Sequence, residues 1–156
     1  MKRSWIKRRR PLKKSTTWYR KRCVLWAKLE AKQRDNWTCQ YCGKKKGEVQ
    51  IHGSHILPEG TYVSMSADPE NIIALCAEHH VAGIGGFLGR SREPSWHGDP
   101  IHFAKWFNEK WPGRYNKLLL KARELKVVNW EERWSEINNP QKEALNGRTN
   151  LPQLPF

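Results

Sequence analysis

The chain has 156 residues, of which 38% are hydrophobic and 28% are charged, and its formal net charge at pH 7 is +14. This length suits one domain with a core that is small for its size. The sequence contains no run of 18 apolar residues and no apolar signal-peptide segment, so it predicts a soluble, cytoplasmic protein and argues against a membrane protein.

Much of the positive charge lies in the first 22 residues, which hold eleven basic side chains and no acidic one. Such a segment repels itself, so residues 1–16 are predicted to be a disordered arm until a polyanion binds. Trp5, Trp18 and Tyr19 lie among the basic residues, which favours a nucleic-acid anchor over a solvated tail or a targeting peptide. The candidate nucleic-acid-binding residues are Lys7, Arg8, Arg9, Arg10, Lys13, Lys14, Arg20, Lys21 and Arg22.

Four residues have the spacing of zinc ligands. Cys39 and Cys42 form one C-x-x-C pair, and Cys76 and His79 repeat the same gap 34 positions later. A two-residue gap lets one tight turn present two donors to a tetrahedral zinc ion, which favours a structural Zn²⁺ over a redox motif or two unrelated turns. Cys23 lies outside this pattern and is expected to be a packed thiol.

Helical and strand patterns surround these ligands. Good helix formers predict a helix from about 17 to 34, and "EVQIHGSHIL" and "NIIALC" read as two short strands. Asp99 and Pro100 predict the start of a later helix, which Pro112 divides in two. Four glycines within residues 83–89 predict a mobile loop.

The order of these motifs resembles the zinc-supported HNH endonucleases, which have the ββα-metal fold. The order is a ligand pair, a strand ending in His-Ile, an Asn that opens a second strand, and a second pair followed directly by His. The stretch "CQYCG … SHILPEG … ADPENIIALCAEHH … WHGDPIHFAKWF" is most similar to small phage and prophage proteins grouped with NinG-type recombination nucleases.

The resemblance implies an α+β fold in which a small ββα-metal core carries a zinc knuckle and is flanked by helices. On this basis the chain divides into the arm, an N-terminal helix at 17–35, an HNH nuclease domain with C-terminal helices at 36–125, and an extension and tail at 126–156.

The resemblance also implies the roles of individual residues. His55 would be the general base, Asn71 would hold it in orientation, and His80 would bind a second, catalytic ion, Mg²⁺ or Mn²⁺. Many relatives carry His or Asp just before the base as a metal ligand, whereas this chain has Ser54. Because alternate strand residues share a face, His52 could replace that ligand.

One further histidine of the family pattern is displaced in this sequence. The family's additional ligand commonly follows the last His by four positions, where this chain has Ile84. The best match is His97, which is either a ligand of the catalytic ion or an ordinary surface or capping histidine. His102 is expected to be structural or exposed.

The sequence is compatible with two functions. The favoured one is a metal-dependent HNH DNA endonuclease acting in a phage or prophage, on branched or recombination-intermediate DNA, and leaving 5′-phosphate and 3′-hydroxyl ends as the family does. The alternative is a zinc-stabilised nucleic-acid-binding protein with a degraded HNH site. DNA is the expected partner in both, and a homodimer or contacts with phage or host recombination and packaging proteins could accompany it.

Overall fold

The computed structural model describes residues 13–82, 94–124 and 127–139. The helices are α1 (Thr16–Arg34), α2 (Pro100–Lys110), α3 (Arg114–Glu124) and α4 (Trp130–Ile137), and the strands are β1 (Ile51–His55) and β2 (Ile72–Cys76). Two short 3₁₀ turns, Val63–Met65 and Pro69–Asn71, lie between the strands, and a π-helical turn, Glu78–Ala82, follows β2.

The strands form a two-stranded antiparallel sheet. His55 pairs with Ile72 and Ile51 pairs with Cys76, with Gly53 opposite Ala74 at the centre. All five residues of β2 are buried, which explains why its sequence is continuously apolar rather than alternating. The sheet therefore forms the centre of the molecule and brings the end of β1 close to the start of β2.

Helix α1 begins where its sequence predicts. The Ser15 side chain accepts a hydrogen bond from the backbone N–H of Trp18, which satisfies one of the free donors at the helix start. The helix then packs against β1 where Gly53 leaves room for it, since a Cβ atom at Gly53 would lie 2.9 Å from Cβ of Lys28. This close approach places the middle of α1 beside the strand that carries His52 and His55.

Helices α2 and α3 enclose the larger apolar cluster. Phe103, Phe107 and Leu118 are buried with Leu57 and Leu75 from the sheet and its loop. The Asp99 side chain caps α2, with Pro100 in its first turn, and Pro112 lies between α2 and α3. These three predictions are confirmed.

A second cluster joins α1 to α4. Cys23, Val24 and Ala27 of α1 are buried together with Trp130 of α4. Residues 126–156 are predicted only as an extension and tail, so α4 is an element that the pattern does not indicate. Cys23 is fully buried against the backbone of Trp130, as expected for a packed thiol.

The predicted fold class is confirmed. A two-stranded antiparallel sheet with helices on both sides and a compact Cys and His cluster is consistent with the small α+β core of ββα-metal type. The first twelve residues of the predicted arm, the glycine-rich loop at 83–89 and the tail from 140 onward lie outside the described residues.

Candidate active site and metal centre

The four predicted zinc ligands lie together. The donor atoms of Cys39, Cys42, Cys76 and His79 are all within 4.8 Å of one another. Cys42 Sγ lies 4.0 Å from Cys76 Sγ, and His79 Nδ1 lies 3.9 Å from Cys39 Sγ. Tetrahedral zinc at ordinary bond lengths separates such donors by roughly 3.5 to 3.8 Å. The cluster therefore fits a zinc ion.

The turn between the first two ligands depends on Gly43. Its φ is +77°, a conformation that glycine adopts without strain, and its N–H donates to the carbonyl of Cys39 at 2.9 Å. The backbone N–H of Gln40 donates to the carbonyl of Ala74 in β2, also at 2.9 Å. The knuckle is thereby attached to the strand that supplies Cys76.

The sulfur atoms strongly affect each other's ionisation. A hydrogen bond from the Cys76 thiol is the main cause that lowers the pKa of Cys39 to about 4, and the same pairing raises the pKa of Cys76. Full deprotonation of this cluster would bring several negative charges together, which requires a cation among them. This chemistry also fits a divalent metal ion.

His55 lies at the end of β1 with a side chain that is only 9% exposed. Its Nε2 atom lies 2.8 Å from the backbone carbonyl oxygen of Ser66. A carbonyl only accepts, so Nε2 carries the proton and Nδ1 keeps its lone pair. Burial is the largest cause that lowers the pKa of His55, and the charges of Lys28 and Arg20 lower it further. The hydrogen bond to Ser66 and the charge of Glu59 act in the opposite direction and raise it. The ring is therefore neutral at pH 7 and has a free basic nitrogen.

Glu59 and Arg20 also lie at this site, although no motif in the sequence predicts a role for Glu59. Glu59 Oε2 lies 3.7 Å from His55 Nδ1, and Glu59 Oε1 accepts from Arg20 Nη2 at 3.1 Å. Arg20, predicted to bind nucleic acid, also approaches Ser66 Oγ at 3.5 Å. The i, i+4 spacing of His55 and Glu59 was the only sequence signal for this contact, and it is weak outside a helix.

Asn71 is fully buried, but its side chain does not hold His55 directly. Its Oδ1 accepts from the N–H of Leu57 at 2.8 Å, and its Nδ2 donates to the carbonyls of Leu57 and Met65, both at 3.2 Å. Met65 precedes Ser66, whose carbonyl accepts from His55. Asn71 therefore contacts the same loop that accepts the hydrogen bond from His55.

Three histidines gather beside this site. His52 Nδ1 lies 3.1 Å from His80 Nδ1, and the ring centres of His80 and His97 are 5.0 Å apart. Burial, with His97 and His52 nearby, lowers the pKa of His80 to about 4, so the ring is neutral and able to bind a metal. His55 contributes to the same lowering, which places it near the group.

The histidine group fits a divalent ion only in part as it is placed. Donors at adjacent corners of an octahedron with bonds of about 2.1 Å are roughly 3.0 Å apart, which matches the His52 and His80 pair. Over the described ranges, however, only the Cys39, Cys42, Cys76 and His79 set brings three or more donors within 4.8 Å of one another. His97 is exposed and lies beside the pair rather than within it.

Ser54 occupies the position at which the resemblance expects a metal ligand. Ser54 is completely buried, with 0% of its surface accessible. Its Oγ has no hydrogen-bond partner among the residues that the structure describes. A buried hydroxyl without a partner is unfavourable. Strand alternation puts it on the same face as His52.

Five of the nine predicted nucleic-acid-binding residues lie within the described part of the chain. Lys7, Arg8, Arg9 and Arg10 lie outside the described residues. Lys14 Nζ and the Arg22 guanidinium lie 5.4 and 5.2 Å from the ring centre of Trp18, and Lys13 Nζ is 3.7 Å from Glu131. The start of α1 therefore combines cations with an aromatic ring.

Comparison with known proteins agrees with this geometry. Residues 39–82 match the family model described as HNH endonuclease, a stretch that runs from the first predicted zinc ligand, Cys39, through both strands and past His80. No curated protein and no solved structure matches the chain. Within the described part of the chain, no helix is long and apolar enough to cross a membrane. The match implies a nuclease-like or nucleic-acid-binding role for this stretch, and residues 1–38 and 83–156 lie outside it.

Proposed function

We propose that this protein is a metal-dependent DNA endonuclease that hydrolyses phosphodiester bonds with His55 as the general base. The observation that supports it most is the hydrogen bond from His55 Nε2 to the Ser66 carbonyl. This bond selects the tautomer with a basic Nδ1, and burial keeps the ring neutral. A neutral, fixed imidazole is suited to remove a proton from water near pH 7.

In the proposed reaction, Nδ1 of His55 takes a proton from a water molecule as its oxygen bonds to phosphorus. The bond from phosphorus to the 3′-oxygen breaks and the leaving oxygen takes a proton from solvent water, so the products carry a 5′-phosphate and a 3′-hydroxyl. Glu59 lies 3.7 Å from Nδ1 and stabilises the imidazolium that forms. Asn71 holds Met65, and thereby the neighbouring Ser66 carbonyl that orients the ring.

Two kinds of metal ion have different roles in this proposal. Zinc held by Cys39, Cys42, Cys76 and His79 is structural, because four protein donors leave no open position for water. His80, with His52 and His97 as its neighbours, would hold the catalytic ion. That ion would stabilise the negative charge that develops on the leaving oxygen.

The donor set bears on the choice of catalytic ion. Imidazole nitrogen suits transition-metal ions, whereas Mg²⁺ prefers oxygen ligands. Mn²⁺ and Ni²⁺ should therefore be tested beside Mg²⁺. Resemblance to recombination nucleases suggests branched or recombination-intermediate DNA as the substrate, in a phage or prophage setting.

The test is cleavage of supercoiled, linear, single-stranded and four-way-junction DNA with each metal ion. His55→Ala should lower the cleavage rate by about 10² to 10⁴, the usual contribution of a positioned base, and should keep zinc and DNA affinity. His102→Ala is the matched control, since His102 is exposed and contacts Tyr41 instead. Cleavage by His55→Ala at the wild-type rate would contradict the proposed site.

The second candidate function is a zinc-stabilised nucleic-acid-binding protein with a degraded nuclease site. Ser54 in place of a ligand and the exposure of His97 favour it. Wild-type protein that binds DNA but cleaves none of the four substrates with any of the three ions would support this function over the first.

A further inference from the structure

Two lysines flank Trp37 between α1 and the zinc knuckle, and a third lies one turn earlier on α1. Lys28 and Lys32 are one helical turn apart on α1 and share a face. Lys32 Nζ and Lys46 Nζ lie 4.9 and 4.4 Å from the ring centre of Trp37. We call Lys28, Lys32 and Lys46 the lysine strip.

The lysine strip concentrates positive charge without a compensating acid. None of its three side chains forms an ion pair with a carboxylate within the described ranges of the chain. Burial is the main cause that lowers the pKa of Lys32, and the nearby charges of Lys46 and Lys28 lower it further. Like charges one turn apart also disfavour a helix. The three positive charges therefore repel one another in the free protein, and a bound anion would offset this repulsion.

The turn that carries Trp37 is itself strained. Asn36 and Trp37 both have φ of +51°, which a residue with a bulky side chain rarely adopts. Hydrogen bonds hold this conformation, from Trp37 N–H to the Lys32 carbonyl at 2.7 Å and from Lys46 N–H to the Trp37 carbonyl at 2.9 Å. The strained turn brings Lys46 beside Lys32, and such strain persists where the surrounding structure maintains it, often at binding sites.

The strip begins at the candidate active site. The Lys28 stem crosses β1 at Gly53, between His52 and His55, where a Cβ atom would lie 2.9 and 3.0 Å from Lys28 Cβ and Cγ. The stem of Lys28 thus lies against the strand that carries His52 and His55. It comes from a helix outside the stretch that matches the HNH model.

We infer that the lysine strip binds phosphates of the DNA strand that is cut, with Lys28 at the end next to the scissile bond. This inference rests on the proposed function and extends it, because it makes α1 part of the substrate-binding surface. The flexible ammonium groups bind phosphate as point charges and carry no sequence preference. The partner is therefore a nucleic-acid backbone, whatever its bases.

The first test measures DNA affinity against salt in a His55→Ala background, which prevents cleavage. The double variant Lys28→Met/Lys32→Met keeps the apolar stems and removes two charges. Each lost phosphate contact lowers the slope of log affinity against log salt by about 0.9, so the slope should fall by about 1.8 on duplex DNA. The matched control is Lys105→Met/Lys117→Met, which removes two exposed lysines elsewhere. Zinc content and circular dichroism confirm that each variant is folded.

The second test measures cleavage at saturating DNA in the wild-type background. Lys28→Met should lower the rate about tenfold or more, and Lys105→Met should not. A strip variant with the wild-type slope, or a control pair that loses as much slope as the strip pair, would overturn the inference. If the wild-type protein does not cleave DNA, the proposed function fails, while the salt dependence still decides whether the strip binds phosphate.

Discussion

His55 Nε2 donates a 2.8 Å hydrogen bond to the backbone carbonyl of Ser66, eleven residues further along the chain. This bond leaves Nδ1 as the basic nitrogen, and burial holds the pKa of the ring below its usual value near 6.5. Both properties set how cleavage should depend on pH.

We predict that the acidic limb of the cleavage rate lies below pH 6.5. The base works only when it is deprotonated, so the rate is constant above the His55 pKa and falls as pH decreases through it. Glu59→Gln removes a charge that raises this pKa, so the limb should move to still lower pH. A wild-type limb above pH 7, measured at constant salt and saturating metal ion, would contradict this assignment.

Zinc should be present at one ion per chain. Cys76→Ser should lose the zinc and unfold at markedly lower temperature, because in small zinc domains metal binding contributes on the order of 10 kcal/mol. Cys23→Ala is the control, since Cys23 is buried away from the cluster in the α1 and α4 contact, and it should keep the zinc. Metal analysis and thermal denaturation of both variants measure this directly. A Cys76→Ser protein as heat-stable as wild type would be inconsistent with a structural ion.

His80→Ala should lower cleavage through the ion rather than through the base. The rate should partly recover, or change its preference among Mg²⁺, Mn²⁺ and Ni²⁺, as the ion concentration rises, because a lost ligand weakens ion binding. His97→Ala distinguishes its two predicted roles. A weaker apparent affinity for the ion makes His97 a ligand, whereas an unchanged metal titration makes it a surface residue.

Asn71→Ala should destabilise the protein more than an exposed asparagine would. It leaves the Leu57 N–H and the Leu57 carbonyl without their Asn71 partner, and each unsatisfied buried group costs about 1 to 3 kcal/mol. The Met65 carbonyl loses one of its two donors and keeps the N–H of Asp68. Asn138→Ala, at the exposed end of α4, should change the free energy of unfolding by less than about 1 kcal/mol. Denaturant unfolding compares the two. Equal effects would mean that the Asn71 network does not support the loop.

Gly53→Ala should destabilise the contact between α1 and β1. The new methyl group would lie 2.9 Å from Lys28 Cβ and 3.2 Å from Ile72 Cγ2, and overpacking of this kind costs about 1 to 3 kcal/mol. Gly60→Ala is the matched control, since nothing lies within 4 Å of the added atom. If both variants unfold at the same denaturant concentration, α1 does not pack on Gly53 as described.

The predictable parts of this protein are those with local causes. Asp99 and Pro100 start α2, Pro112 separates it from α3, and the paired gaps of Cys39, Cys42, Cys76 and His79 bring four donors together. Each depends on capping, backbone restriction or a short turn, which the neighbouring residues determine.

The parts that were not predicted depend on distant contacts. The partners of Asn71 and the place of Glu59 follow from the conformation of the loop between β1 and β2, which no periodic pattern describes. The place of Lys28 beside Gly53 requires the packing of α1 on the sheet. Helix α4 is short and mostly polar, and its contribution to the fold depends on the contact of Trp130 with Cys23.

The contact between Cys23 and Trp130 can form only late in the synthesis of the chain. The two residues are 107 positions apart, so every other described helix and both strands are made before Trp130. Until then, Cys23, Val24 and Ala27 lack the part of their cover that α4 supplies, although Ala67 and Ile72 belong to the same cluster, and transient exposure of apolar surface promotes aggregation. The eight-residue helix α4 therefore completes the cover of the apolar face of α1 late in synthesis, and only then is that face protected from association with other chains.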